Sequence, residues 1–132
     1  MKLEEKVHTL CKGLNHAVLT TLAADGAPQS QVMWVDCDDD HVIVNTETHR
    51  QKFKNVGRDP RVVVLIPDVG NPHCYAEVRG RVVETVTGPE ARSHIDLMAK
   101  KYLDLDDYPL EIASERAILK IAPDRQLVVD VG

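Results

Sequence analysis

Leu3, Val7, Leu10, Cys11 and Leu14 recur at helical spacing, so the pattern predicts an amphipathic helix over Lys2–Lys12 that Gly13 ends. The period then drops to two. Ala17–Ala23 is rich in strand formers, Ala24-Asp25-Gly26 supplies turn chemistry, and Gln29–Asp36 runs back, which predicts a hairpin. The acidic turn Asp38–Asp40 leads to a third strand, His41–Thr46. Arg61–Pro67 is a fourth, apolar enough to be expected buried on both faces. Tyr75–Val86 is a fifth, with Glu77, Arg79 and Arg81 at alternate positions and Gly80 as a candidate bulge.

The period then lengthens again. Thr87 and Glu90 have the spacing of a capping box, and Ala91, Ile95, Met98, Ala99 and Tyr102 follow at helical intervals, which predicts a helix over Gly88–Leu103. Asp104–Pro109 reads as an acidic loop, and Ala117–Ala122 and Gln126–Val131 as two closing strands. Many short strands and few helices predict a mainly β, mostly antiparallel barrel. A small barrel is filled by its own side chains, so a cofactor is expected on its outer wall or at a subunit boundary. With no repeat, low-complexity tract or linker, residues 1–132 are expected to form one cofactor-binding domain.

Composition narrows the function. The chain is 43% hydrophobic and 28% charged and has no apolar run near the ~20 residues of a membrane span, so a soluble protein is expected. The start MKLEEKVHTL does not have the build of a leader, which makes the expected location cytoplasmic. A net charge of −5 argues against nucleic-acid and membrane partners. Cys11, Cys37 and Cys74 are scattered and odd in number, which suits reduced apolar fillers better than a disulfide or zinc framework. No metal-ligand spacing joins the six histidines, and the chain has no nucleophile elbow, zinc-protease motif, P-loop or dinucleotide fingerprint.

One segment departs from the acidic average. His49–Arg61 holds five Arg or Lys against one Asp, a local charge of +4. Thr48 and Gln51 have capping-box spacing, so the pattern predicts a helix starting at Thr48 with Arg50 and Lys52 in its first turn. Cations there oppose the helix dipole by ~0.3–1 kcal/mol each, and an anion bound beside them would reverse the sign. The spacing alone fits an ordinary solvated helix face equally well.

The residues in order resemble the pyridoxamine 5′-phosphate oxidase superfamily of flavin-reductase-like split barrels, and most closely its branch that uses the deazaflavin coenzyme F420. The hairpin VLTTLAADGAPQSQVMWV, the segment RQKFKNVGRDPRV from Arg50 to Val62, and Asn71-Pro72 with Tyr75 and Glu77-Val78-Arg79-Gly80 carry the likeness. His94-Ile95-Asp96, Lys101-Tyr102 and Tyr108-Pro109 resemble the family's late helix and loop. His49, Val56 and Cys74 depart from the usual Gly, Leu and larger polar residue. No Arg-rich segment follows Val131, so the likeness does not extend to vitamin B6 oxidation.

The resemblance implies an FMN-binding split β-barrel that forms a homodimer with cofactor sites at the subunit boundary. By position, Gln29, Ser30, Gln31 and Val32 would run along the cofactor ring, Thr46 would sit at its edge, and Arg50, Lys52 and Asn55 would hold the phosphate. Residues near Tyr75 and the late helix would come from the other subunit. The implied activity is hydride transfer from reduced F420 to an electron-poor small-molecule acceptor. FMN is the alternative cofactor, and a non-catalytic cofactor or haem carrier the alternative role. Tyr75, Tyr102 or a water could supply a proton, and Trp34 is assigned to packing at the subunit boundary.

Overall fold

The computed structural model describes residues 1–131. The chain forms helix α1 (Glu5–Lys12), strands β1 (Ala17–Leu22), β2 (Pro28–Met33), β3 (Asp36–Cys37) and β4 (Val42–Glu47), then helix α2 (Gln51–Arg58). Strands β5 (Arg61–Pro67) and β6 (Cys74–Thr87), helix α3 (Pro89–Leu103) and strand β7 (Arg116–Asp130) complete it. All seven strands join one sheet in the order β2-β1-β5-β6-β7-β4-β3, and every neighbouring pair is antiparallel.

The sheet's two edges, β2 and β3, are consecutive in sequence and separated only by Trp34 and Val35. Because each residue spans at most about 3.6 Å, the edges must lie close together, and the sheet therefore rolls into a barrel with a seam between β2 and β3. Alternate residues point inward, among them Leu19, Val42, Val44, Val64, Ile66, Val78, Leu119 and Ile121, each at most 1% exposed. Val7, Leu10 and Cys11 of α1 join the same core.

Long strands β6 and β7 need a bend to serve such a barrel. Gly80 pairs with Pro123 while Arg79 pairs with Arg125, so Asp124 is left without an opposite partner. This bulge joins the two expected closing strands into one and places Gly80 where a Cβ would lie 2.1 Å from the Ala122 carbonyl oxygen.

Three local expectations are corrected. The Thr48 amide bonds to the Glu115 carbonyl at 2.9 Å and extends the β4 ladder, so α2 starts at Gln51, with Arg50 as N-cap and no side-chain cap. Thr87 is held in β6 opposite Ala117, and Gly88, at φ +81°, caps α3 instead of a Thr87–Glu90 box. The outer face of β5 is half-exposed at Val63, Leu65 and Pro67, because no element among the described residues covers it.

Gly80→Ala is expected to destabilise the fold by about 3 kcal/mol, since the new methyl meets backbone that cannot yield. Urea unfolding checks this, and an unchanged midpoint would refute the close approach.

Candidate functional site

A cavity of about 420 Å³ opens at the barrel seam. Val32, Met33 and Trp34 come from the β2 edge, Ile43 and Asn45 from β4, Arg50 and Lys52 from the entry to α2, and Arg116 from the start of β7. Helix α3 contributes His94, Ile95 and Met98, and the loop after it contributes Tyr108. Trp34 stacks on Tyr102 with ring centroids 5.1 Å apart and meets Tyr108 edge-on at 6.1 Å. The result is a pocket with an apolar and aromatic wall and a cationic end.

The charges there do not balance. Glu47, 2% exposed, accepts a hydrogen bond from Arg50 at 3.0 Å on Oε2 and one from the Ser114 amide at 3.0 Å on Oε1. Burial pushes its carboxyl up, but these bonds and the Ala113 amide outweigh burial and hold it below the ordinary value. Arg116 Nη1 stands 3.7 Å from the same Oε2. Lys52 is only 6% exposed and has neither a hydrogen bond nor an ion pair among the described residues. Burial, then the Arg50 and Arg116 charges, pull its ammonium below the ordinary lysine value. Arg50 and Arg116 thus face one carboxylate and Lys52 faces none, an excess of positive charge that an anion would balance.

A buried polar chain braces the cavity wall. Asn45 Nδ2 donates to the Ala91 carbonyl and to His94 Nδ1, each at 3.0 Å, and Asn45 Oδ1 accepts from Arg116 Nε at 2.8 Å. That pattern fixes the Asn45 amide orientation and makes His94 Nδ1 an acceptor, so Nε2 carries the proton and donates to Asp36 Oδ2 at 3.2 Å. Lys12 also donates to Asp36, at 2.8 Å. Burial raises the Asp36 carboxyl, yet the bonds from His94, Lys12 and the Cys37 amide overcome that and hold it far below the ordinary carboxylate range.

Of the expected cofactor residues, Val32, Arg50 and Lys52 line this cavity. The others lie elsewhere. Asn55 is fully buried and structural in its bonding: it donates to Thr21 and Gln29 at 3.0 Å and accepts from Gln51 and Arg58 at 2.8 and 3.1 Å. Gln29 is therefore tied to Asn55, while Ser30 bonds across the hairpin to Thr20 at 2.8 Å. Gln31 Oε1 and Thr46 Oγ1 are buried without a partner, Thr46 being 0% exposed. The Tyr102 hydroxyl donates to the Asn15 carbonyl at 2.6 Å and accepts from the Val35 amide at 3.1 Å, which leaves it no proton to pass on. Tyr75 belongs to the other side of the barrel, in a shallow groove with Leu65, Pro67, Pro72 and Glu77.

The sequence reading missed Asn45, Tyr108 and Arg116 as site residues and treated His94 as filler. His94 and Asp36 are 58 residues apart, and Asn45 and Arg116 are 71 apart. Pairing of β4 with β7 brings Asn45 and Arg116 together, a register that spacing along the chain does not disclose.

A seamed antiparallel barrel with flanking helices and a cavity at its split has the architecture of the split β-barrels. The family profile of pyridoxamine 5′-phosphate oxidase matches residues 3–130, and the chain belongs to that family. A solved F420 reductase is similar over 95% of this chain and 98% of its own, with 28% identity and a TM-score of 0.78. A conserved hypothetical protein from Mycobacterium tuberculosis is 24% identical, over 97% of this chain and 85% of its own, with a TM-score of 0.76. HupZ from Group A Streptococcus shares the fold at 15% identity and a TM-score of 0.68, covering 98% of this chain and 99% of its own. No curated protein sequence matches the chain.

The Asp36 bonds carry a pH dependence. In the unfolded chain its carboxyl titrates near 3.8. Folding lowers it, so its stabilisation is fully present above that value and is lost as the pH falls further. Asp36→Asn is expected to lower the urea midpoint at neutral pH and to flatten its fall on acidification from pH ~5 to ~2. Parallel curves for the variant and the parent would refute the role given to Asp36.

Proposed function

We propose that the chain is an F420-dependent reductase that passes a hydride to an electron-poor organic acceptor, with FMN as the alternative coenzyme. The observation that carries this is Lys52, a largely buried cation with no partner among the described residues, which enters the cavity from the same helix start as Arg50. Such a group suits the phosphate of a coenzyme tail, because the anion supplies the missing partner and offsets the cost of burying the ammonium. The chain's membership of an oxidase family and its likeness to an F420 reductase support the redox reading.

When bound, the coenzyme supplies the hydride, and the protein's tasks are orientation, charge complementarity and exclusion of water. Arg50 and Lys52 anchor the tail. Exposed Val32, on the edge strand β2, offers an apolar contact for the ring, Met33 lines the cavity from the core side, and Trp34 closes the wall beyond them. Gln31, whose Oε1 is buried without a partner among the described residues, precedes Val32 on the same edge strand. The acceptor gains the hydride and one proton. Tyr108 or a water is the donor for that proton, since the Tyr102 hydroxyl is held by backbone groups.

The bare outer face of β5 and β6, with Leu65, Pro67 and Tyr75, is the surface we assign to a second copy of the chain. A reductase of this kind would work in the cytoplasm, where reduced coenzyme is supplied. A haem role has less to build on. Both ring nitrogens of His94 are engaged, which leaves His16 as the one cavity-lining histidine able to act as a ligand.

Titration with F420 and FMN, followed by Trp34 fluorescence, tests the coenzyme. Binding of F420 at micromolar levels is expected, and protein that purifies yellow with FMN would favour the alternative. Arg50→Ala is expected to weaken coenzyme binding about 10- to 150-fold through loss of one charge-assisted hydrogen bond. Lys52→Met should do the same while leaving the urea midpoint equal to or above that of the parent, because it removes a buried unpaired charge. A midpoint that falls with affinity unchanged would show that Lys52 serves the fold and not the coenzyme.

A further inference from the structure

We infer that Arg116 is a second anion-binding position in the seam cavity, next to the Arg50–Lys52 anchor, and that the acceptor is a flat conjugated molecule carrying a carboxylate. The inference rests on the coenzyme reading above and names the acceptor's class. Arg116 is 5% exposed, lines the cavity, and keeps Nη1 buried without a hydrogen-bond partner.

The residue is built to face a ligand. Its Nε is fixed by Asn45 Oδ1 at 2.8 Å, and Asn45 is in turn fixed by the Ala91 carbonyl and His94. The guanidinium lies 5.2 Å from the centre of the Tyr108 ring, which holds its plane against an aromatic surface. Glu47 does not complete it. One carboxylate oxygen already serves the Ser114 amide, and the other takes a closer bond from Arg50 at 3.0 Å than its 3.7 Å separation from Arg116. A planar guanidinium with a free donor matches a carboxylate, which it can grip through parallel N–H bonds.

The surroundings define the rest of the molecule. Arg50 and Lys52 enter the cavity from the segment that begins α2, whereas Arg116 stands on β7 beside Tyr108, in the part of the cavity that Trp34 also walls. Ile95 and Met98 add an apolar floor from α3. An aromatic wall over an apolar floor favours a conjugated ring, and the cation beside it favours an acid over a neutral analogue.

Calorimetric titration of coenzyme-loaded protein with 2-naphthoate and with methyl 2-naphthoate tests this, because the two probes share the ring and differ in charge. The parent is expected to bind the acid at least tenfold more tightly than the ester. Arg116→Gln should abolish that preference while coenzyme affinity stays within threefold, and Arg116→Lys should restore part of it. Equal binding of acid and ester by the parent would overturn the inference, as would a preference that survives Arg116→Gln. A tenfold loss of coenzyme affinity in Arg116→Gln would overturn it too, by assigning Arg116 to the coenzyme. If the parent binds no coenzyme, the functional reading fails separately, and the acid–ester comparison on the protein alone still decides the role of Arg116. Thermal unfolding of each variant identifies any loss that reflects misfolding, and the Arg116→Lys result then carries the decision.

Discussion

The two-residue link between the edge strands is the constraint from which the rest of the structure follows. Trp34 and Val35 cannot span an open seven-stranded sheet, so β2 and β3 must approach and the sheet must curl. Closure in turn demands bends in the longest pair, β6 and β7, and the bulge at Gly80 and Asp124 provides one where a side chain would not fit. The same closure leaves a seam. The barrel interior is filled by its own side chains, and the cavity opens beside the seam, where strand edges, the entry to α2 and the flank of α3 meet.

At that seam, polar groups sort into two kinds. Asn45, His94 and Asp36 are bonded to one another or to backbone and serve as a frame. Lys52, 6% exposed as a residue, makes no such bond among the described residues, and the Nη1 of Arg116 is buried without one. Natural folds tolerate few unpaired buried polar groups, and those that persist commonly mark function. Desolvation of these cations lowers the stability of the free chain and sharpens its attraction for an anion, because both effects arise from the same low-dielectric surroundings.

Much of the fold was legible in the residues. Period-two runs located nearly every strand, and Asp25-Gly26 marked the first hairpin, with Gly26 at φ +86°. The errors came from competition between local and tertiary bonding. Thr48 and Thr87 have the sequence of helix caps, yet both amides or strands were already claimed by the sheet, so the helices began later. Arg50 and Lys52 stand out in the sequence because their placement at a helix start is electrostatically odd, and both line the seam cavity. Arg116 carries no such local mark. Its role depends on pairing across β4 and β7 and on a loop that folds Tyr108 over it, neither of which has a period or motif. Asn55, expected beside Arg50 and Lys52 from the family resemblance, has its amide bonded to Thr21, Gln29, Gln51 and Arg58.

The central claim is that the seam's surplus positive charge holds the anionic tail of a redox coenzyme. Comparing the affinity of the unaltered protein for F420 with that for its phosphate-free deazaflavin core, and for FMN with that for riboflavin, tests it from the ligand's side. Loss of the phosphate should weaken binding at least tenfold in the preferred pair, with the difference shrinking as salt is raised. Equal affinity for the phosphorylated and phosphate-free forms at low salt would contradict the account.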